Sequence, residues 1–151
     1  MSQILIIETY DHPRELVWRA VTDPAVIPRW TATGRGGTPE GFEPVVGNRF
    51  RFVGRPVPGW DGIVRCEVLE VDPPSLLRYS WQGAEGEQPS LVTYRLTSVP
   101  GGTEFTYLHT DFVGLVNRVT AKLVLTRVRR TMLSVGLPPV LDELSREQIP
   151  E

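Results

Sequence analysis

The C-terminal segment from Gly114 to Glu147 constrains the fold most, because apolar residues recur there at steps of three and four. This spacing predicts one long helix with a buried stripe along one side. The stripe and the residues that widen it are Val116, Val119, Ala121, Leu123, Val124, Leu125, Val128, Met132, Leu133, Leu137, Leu141 and Leu144. Such a helix needs a large apolar partner, and the upstream sequence offers strands for that purpose. We therefore expect a sheet that grips one long helix.

The same segment contains an interruption at Gly136, Pro138 and Pro139. Two prolines remove two backbone donors, which costs roughly 3 kcal/mol or more inside a continuous helix. We expect a kink there, or a stop at Gly136 and a restart with Pro138 in the first turn. A bend that follows the sheet is the favoured interpretation, and a hinge that opens a cavity mouth is the alternative.

The first part of the chain predicts one strand and two short helices. Residues 3–10 are rich in β-branched and aromatic side chains, which is typical of a strand. Pro13 suits the first turn of a helix that is capped by Asp11 or His12 and ends near Thr22. A second start signal, Asp23 and Pro24, precedes a helix of one or two turns. Two short helices in a row are expected to close one end of a sheet.

The middle of the chain predicts strands that follow one another through short turns. The glycine-rich residues 33–41 are expected to form a loop. The strands predicted after it cover 42–46, 49–53, 63–72, 76–81, 90–99 and 103–112. Short connections between sequential strands favour an antiparallel sheet. The residues therefore indicate the order of one strand, two short helices, about six strands and one long helix.

Length and composition indicate an ordinary globular protein. A chain of 151 residues, 40% of them hydrophobic, is expected to fold as a single domain, 1–151. The net charge of −2 gives no reason to expect a nucleic acid partner. The N-terminal residues have neither a basic start nor a long apolar run, so we expect no signal peptide and no membrane span. The lone Cys66 permits the cytoplasmic location that we predict.

A basic cluster lies on the predicted long helix. Its members are Arg118, Lys122, Arg127, Arg129 and Arg130. A solvated face is the favoured interpretation of such a cluster. An anionic ligand or partner is the alternative.

Aromatic side chains are expected to converge between the sheet and the helix. These candidate ligand-binding residues are Trp30, Phe52, Tyr79, Trp81, Tyr94, Tyr107 and His109, with Val119 and Leu123 from the helix. Aromatic walls with a few hydroxyl groups and one imidazole suit a small hydrophobic ligand that has a polar group. A filled aromatic core is an equally weighted alternative. Trp60 is expected at the rim, and the apolar outer side of the helix from Val119 to Val128 is a candidate homodimer surface.

Candidates for chemistry are few. His109 shares a strand face with Phe105 and Tyr107, and it is the candidate catalytic acid or base, with Tyr79, Tyr94 or Asp111 as partner. A hydrogen-bonded structural histidine is the favoured alternative. The sequence has no HxxxH or HExxH motif, so we expect no metal and no cofactor. Cys66 is expected to be a small buried residue and His12 a neighbour of a helix cap.

Four stretches resemble one family. RELVWRAVTDPAVIPRW resembles the PxxVWxALTDPxxxxxW opening of bacterial domains related to the activator of Hsp90 ATPase. FEPVVGNRFRF, EVLEVDPPSLLRYSW and LVTYRLTSVPGGTEFTYLHTDF resemble that family's later hallmarks, in order and over nearly the whole chain. The family usually has a glycine pair where Gly47 and Asn48 stand, and an aromatic residue near Leu137. These two departures bear on the turn geometry and on the shape of the cavity.

The resemblance implies an α+β helix-grip fold, also called START/Bet v 1-like or SRPBCC. In that fold a curved, seven-stranded antiparallel sheet surrounds a long C-terminal helix, with two short helices between strands 1 and 2 and a cavity inside. Three functions follow as hypotheses: binding of a small hydrophobic molecule, a polyketide cyclase or dehydratase-like enzyme that uses His109, and an Hsp90-type chaperone cofactor. The scarcity of catalytic groups favours binding, and the fold alone does not choose among them.

Overall fold

The computed structural model describes residues 3–31, 38–54, 62–83, 88–110 and 126–147. Within them, the chain forms an α+β structure with a seven-stranded sheet and helices on one of its faces. The strands are β1 (Ile4–Tyr10), β2 (Thr38–Glu40), β3 (Arg49–Val53), β4 (Ile63–Asp72), β5 (Leu76–Gln82), β6 (Ser90–Val99) and β7 (Gly102–Thr110). The helices are α1 (Arg14–Thr22), α2 (Ile27–Thr31) and α3 (Leu137–Glu147), which follows a π-helical turn (Met132–Gly136).

The sheet is curved and antiparallel throughout, with strand order β1-β7-β6-β5-β4-β3-β2. Alternation along each strand decides which face is buried, because successive side chains point to opposite faces. In β7, for example, Phe105, Tyr107 and His109 are buried and the residues between them are half-buried. The buried face of the sheet and the inward side of the C-terminal helix enclose one hydrophobic core. The helix-grip prediction is confirmed.

Two short helices follow β1, as predicted; α1 contacts β6 and β7, and α2 contacts β2. Helix α1 begins after Pro13 and ends at Thr22, and it buries Leu16, Val17 and Ala20. No side chain caps its first turn, so the predicted cap by Asp11 or His12 is wrong. The ring of His12 bonds instead to Asp142 of α3, with 2.8 Å between Nε2 and Oδ1.

The C-terminal helix does not stop at the prolines. It passes through the π turn into α3, and Leu137 keeps helical backbone angles while its N–H donates to the Met132 carbonyl. In a π helix each carbonyl accepts a hydrogen bond from the N–H five residues later. For the Leu133 carbonyl that residue is Pro138, which has no N–H. The Tyr10 hydroxyl donates to that carbonyl instead, at 2.7 Å. The predicted stop at Gly136 and restart are wrong, because a π turn carries the helix on and Pro138 lies in the first turn of α3 without a break.

The region before β3 differs from the prediction in two ways. Residues 38–40, expected in a loop, form edge strand β2, where Pro39 is tolerated because an edge strand leaves donors unpaired. Residues 42–46, expected as a strand, form bends and turns. The Asn48 side chain satisfies this backbone by donating to the Gly41 carbonyl and accepting from the Glu43 N–H, both at 3.0 Å. Asn48 thus has a structural task where the family usually has glycine.

No helix among the described residues is long and apolar enough to cross a membrane.

Candidate functional site

A continuous row of aromatic rings covers the buried face of the sheet. Phe50 contacts Tyr79 with 5.3 Å between ring centroids, and Tyr79 contacts Tyr94 at 5.8 Å. Tyr94 in turn contacts Tyr107, its directly paired neighbour on β7, at 5.9 Å. The three tyrosines lie side by side because β5, β6 and β7 are adjacent and their positions share one face, and Phe50 contacts Tyr79 across β4. The row forms one wall of the space between sheet and helix.

A narrow cavity lies between this wall, α2 and the start of the π turn. Its volume is about 20 Å³, which is close to the size of one water molecule. The sheet and α2 contribute most of the lining, and the helix adds a cation, a thioether and a leucine. The lining residues are Val21, Ile27, Trp30, Thr31, Pro39, Phe42, Phe50, Phe52, Leu77, Tyr79, Tyr94, Tyr107, Arg129, Met132 and Leu133. In this conformation the aromatic core is nearly filled, as one of the two alternatives predicted.

Three phenol groups supply most of the polarity of the cavity. The hydroxyls of Tyr79 and Tyr94 share a hydrogen bond of 3.2 Å. The pKa of Tyr94 is raised to about 12, mainly by burial. Burial also raises the pKa values of Tyr79 and Tyr107. All three phenols are therefore neutral at physiological pH, and each carries a proton that can be donated.

Arg129 brings a positive charge to the same place. Its Nε donates to the Tyr107 hydroxyl at 3.1 Å, and its Nη1 approaches the Met132 sulfur at 3.4 Å. Burial opposes the charged form, but the phenol groups of Tyr107, Tyr79 and Tyr94 outweigh it and raise the pKa of Arg129. The guanidinium stays charged inside a largely aromatic site.

His109 lies beside the cavity and is not part of its lining. Its side chain is buried, Nε2 is 2.7 Å from the Ser90 hydroxyl, and that hydroxyl donates to the Trp81 carbonyl at 3.0 Å. The Trp81 ring packs against the imidazole edge to face, with 5.0 Å between centroids. Burial, followed by the charge of Arg129, lowers the pKa of His109 to about 3. The imidazole is therefore neutral at physiological pH.

The structure brings five of the predicted ligand-binding residues together around the cavity: Trp30, Phe52, Tyr79, Tyr94 and Tyr107. Trp81 and His109 form a neighbouring pair behind that lining. Val119, Leu123, Asp111 and Trp60, to which the sequence also assigned roles, lie outside the described residues. The assignment of these side chains to a binding or catalytic site stays a prediction.

Sequence reasoning missed two of the most central lining residues. Phe50 shares its strand face with Phe52 and is the more deeply buried of the two, so period-two alternation indicated it. Arg129 was placed with the solvated cluster of the helix, yet it stands three residues before Met132 and four before Leu133, which are both buried. This spacing put Arg129 on the buried stripe.

The described residues offer no place for a metal. No group of three or more His, Cys, Asp or Glu side chains lies close enough together there to hold an ion. Cys66 is a buried free thiol whose pKa is raised, mainly by burial, so it is unreactive as a nucleophile.

Comparison with known proteins identifies the family of the chain. A family model described as Activator of Hsp90 ATPase homolog 1-like protein matches residues 11–145. The chain belongs to this family. The family lies in the START/Bet v 1-like superfamily, as the sequence resemblance implied. No curated protein matches the chain.

Solved structures agree with this assignment. Protein MLL2253 from Mesorhizobium loti is 27% identical, with 99% of this chain and 100% of that one covered and a TM-score of 0.67. PFC0360w, described as an HSP90 activator from Plasmodium falciparum, is 22% identical over 96% and 97% of the two chains, with a TM-score of 0.66. DynU16, from the dynemicin biosynthetic locus, is 21% identical with a TM-score of 0.64, and it is matched over 91% of this chain but 49% of its own. The last two similarities show the fold alone.

Proposed function

We propose that this member of the family binds a small hydrophobic molecule between the sheet and the C-terminal helix. The observation that carries the proposal is the lining of the cavity, in which aromatic and aliphatic side chains surround a few convergent polar groups. Such a composition is typical of sites for apolar ligands that bear one polar group. Phenol hydroxyls fix the orientation of such a ligand, and the rings supply contact area.

Binding requires the lining to open. A volume of about 20 Å³ admits about one water molecule, so an organic ligand must displace side chains. Met132 and Phe52 are suited to this movement. Met132 has three rotatable bonds and adapts its shape easily, while Phe52 is half-buried at the edge of the cavity.

Native mass spectrometry of the protein purified from its own host tests this proposal, followed by extraction and identification of any bound compound. We expect a stoichiometric apolar molecule. A matched pair of variants on β3 locates it: Phe52→Gln changes the cavity side of the strand and Arg51→Gln the exposed side. The compound should be lost from Phe52→Gln and retained by Arg51→Gln. A bare chain that also binds no apolar probe contradicts the proposal and leaves the filled core as the interpretation.

A cyclase or dehydratase-like enzyme is the second candidate. The neutral hydroxyls of Tyr79, Tyr94 and Tyr107 favour it, because donors of this kind can hold a carbonyl oxygen on which negative charge develops. DynU16, which has the same fold, comes from a biosynthetic locus. The lowered pKa of His109 weighs against it, since a base acts best when its pKa is near the working pH. Unchanged turnover of an identified substrate by His109→Gln would remove the predicted role of His109.

The third candidate, an Hsp90-type chaperone cofactor, is supported by the description of the family. Its test is the ATPase rate of the host's Hsp90 with and without this protein, and an unchanged rate counts against it. The cytoplasmic location stays a prediction. The homodimer also stays a prediction, because most of the residues from Val119 to Val128 lie outside the described part of the chain.

A further inference from the structure

We propose that the polar group of the ligand is an organic carboxylate, and that Arg129 with Tyr107 forms its receptor. This inference rests on the proposed binding function and narrows the class of ligand.

The positive charge of Arg129 lies in the lining of the cavity. Arg129 belongs to the described helical residues 126–131, directly before the π turn, and its side chain lines the cavity with Met132 and Leu133. Its Nε bond to the Tyr107 hydroxyl fixes the plane of the guanidinium against the sheet. The side chain is half-buried and crosses the space between helix and sheet, whereas its neighbours Arg127 and Arg130 are exposed.

Arg129 lacks a counter-charge among the described residues, unlike several other arginines. Arg29, Arg51 and Arg78 each pair with a carboxylate, and all three lie on the outside of the molecule. Among the described residues, Arg129 contacts a phenol and a thioether and forms no ion pair. Charges that are partly removed from water are ordinarily paired, because their desolvation is costly. The site thus holds a positive charge that nothing in the described part of the chain neutralises.

The polar groups of the cavity differ in their numbers of hydrogen-bond donors and acceptors. A guanidinium has five N–H donors and no acceptor, and Tyr107 accepts one of them while the Met132 sulfur is a weak acceptor for a second. The Tyr107 hydroxyl then keeps its own proton to donate. Tyr79 and Tyr94 have two protons and use one between them. The cavity therefore has more donors than acceptors, and the group that complements it is rich in acceptors and negatively charged.

A carboxylate has this chemistry. It offers two acceptor oxygens and a negative charge, and it bonds to guanidinium groups through two parallel N–H bonds. The rest of the lining, including Leu77, Met132 and Leu133, is apolar and suits the hydrocarbon part of the same molecule. A free inorganic anion would leave that apolar surface unused, so the chemistry points to an organic acid.

The test compares two probes that differ in charge and little in shape, 2-naphthoate and 2-naphthamide, by isothermal titration calorimetry. We expect wild-type protein to bind the carboxylate at least about tenfold more tightly than the amide, which corresponds to about 1.4 kcal/mol. Arg129→Gln should remove this preference. Arg129→Lys, which keeps the charge, should retain part of it. Arg127→Gln is the control, because it removes a charge from the exposed side of the same helical turn.

Two results overturn the inference: equal affinities of the wild-type protein for the two probes, or an unchanged preference in Arg129→Gln. The wild-type comparison needs no variant, so it decides the matter even if Arg129→Gln does not fold, which circular dichroism will show. If the amide binds and the carboxylate binds no better, the carboxylate inference fails and the binding function stands. If neither probe binds at millimolar concentration and the purified protein carries no compound, both fail.

Discussion

The inward side of the C-terminal helix differs before and after the π turn. After it, Leu137, Leu141 and Leu144 are fully buried in a helix that contacts α1 and α2. Before it, Arg129 lines the cavity beside the tyrosines of the sheet. The two halves share one helix and one core, yet the first holds a charge where the second holds leucines. The comparison indicates that the leucines after the π turn stabilise the fold. The charge of Arg129 before it lowers stability but provides a polar site.

Leu141→Ala tests the stabilising half and should have the largest effect. Leu141 is 0% exposed, so its truncation removes apolar contact and leaves a cavity. We expect a loss of about 2–5 kcal/mol in the free energy of unfolding, measured by urea denaturation. Val135→Ala, at a position 59% exposed, is the control and should change stability by less than about 0.5 kcal/mol. A loss below about 1 kcal/mol for Leu141→Ala would contradict this assignment.

His109 tests whether polar groups on the buried side of the molecule are all charged, as Arg129 is. Its folded-state pKa of about 3 lies below the usual 6.5, so the unfolded chain binds a proton that the folded chain excludes between these values. Stability should therefore fall as the pH falls through this window, by about 2 kcal/mol from pH 6 to pH 4.

His109→Gln should flatten this dependence in urea denaturation at a series of pH values. His12→Gln is the control, since His12 lies near the surface beside Asp142. An equal slope in wild type and His109→Gln would show that other groups cause the loss in acid. A flattened slope would mark His109 as a neutral structural residue, in contrast to Arg129.

Tyr10→Phe tests the boundary between the two halves. It removes the hydroxyl that bonds to the Leu133 carbonyl, which proline at position 138 leaves without a backbone donor. We expect a loss of about 1–3 kcal/mol, measured by thermal and urea denaturation. In a Pro138→Ala background, which restores an N–H, the same change should cost less. Equal costs in the two backgrounds would show that the hydroxyl and the missing N–H are not coupled.

Arg129→Met tests the polar half and should act in the opposite direction. Replacing a half-buried, unpaired charge by an apolar side chain of similar length should raise stability by up to about 1 kcal/mol, while binding of 2-naphthoate is lost. Urea denaturation and calorimetry measure the two effects. A clear loss of stability would instead show that the charge is part of the structural core, and the contrast between the halves would disappear.

Arg29→Gln should have the smallest effect. Arg29 of α2 pairs with Glu143 of α3 at the surface, outside both halves of the buried face. Exposed ion pairs contribute little, so we expect a loss of at most about 0.5 kcal/mol in urea denaturation. A loss of more than about 1 kcal/mol would show that surface pairs share the stabilising role assigned to the leucines.

Most of the fold could be predicted from the sequence, because strand and helix periods are local properties. Six of the seven strands, the two short helices and the buried face of β5, β6 and β7 follow from spacing alone. The prediction failed at residues 38–46, where long-range pairing with β3 and the Asn48 side chain decide the backbone. No local pattern records either interaction.

The candidate site was predicted less completely. Alternation identified Tyr79, Tyr94 and Tyr107 as neighbours, and the structure confirms their contact. It did not distinguish the cavity lining from the Trp81 and His109 pair beside it, because all five share one face of the sheet.

By itself the sequence determined the order of most strands and helices, since the apolar period of each segment dictates which side must be buried, and its resemblance to the family implied the helix-grip fold. The tertiary structure alone decided three features: the π turn satisfied by Tyr10, the small volume of the cavity, and the place of Arg129 in the cavity lining. The reason is that each depends on atoms far apart in the chain. An arginine on a helix has the same local propensity whether it meets water or a row of tyrosines, and only the opposing sheet determines which it meets.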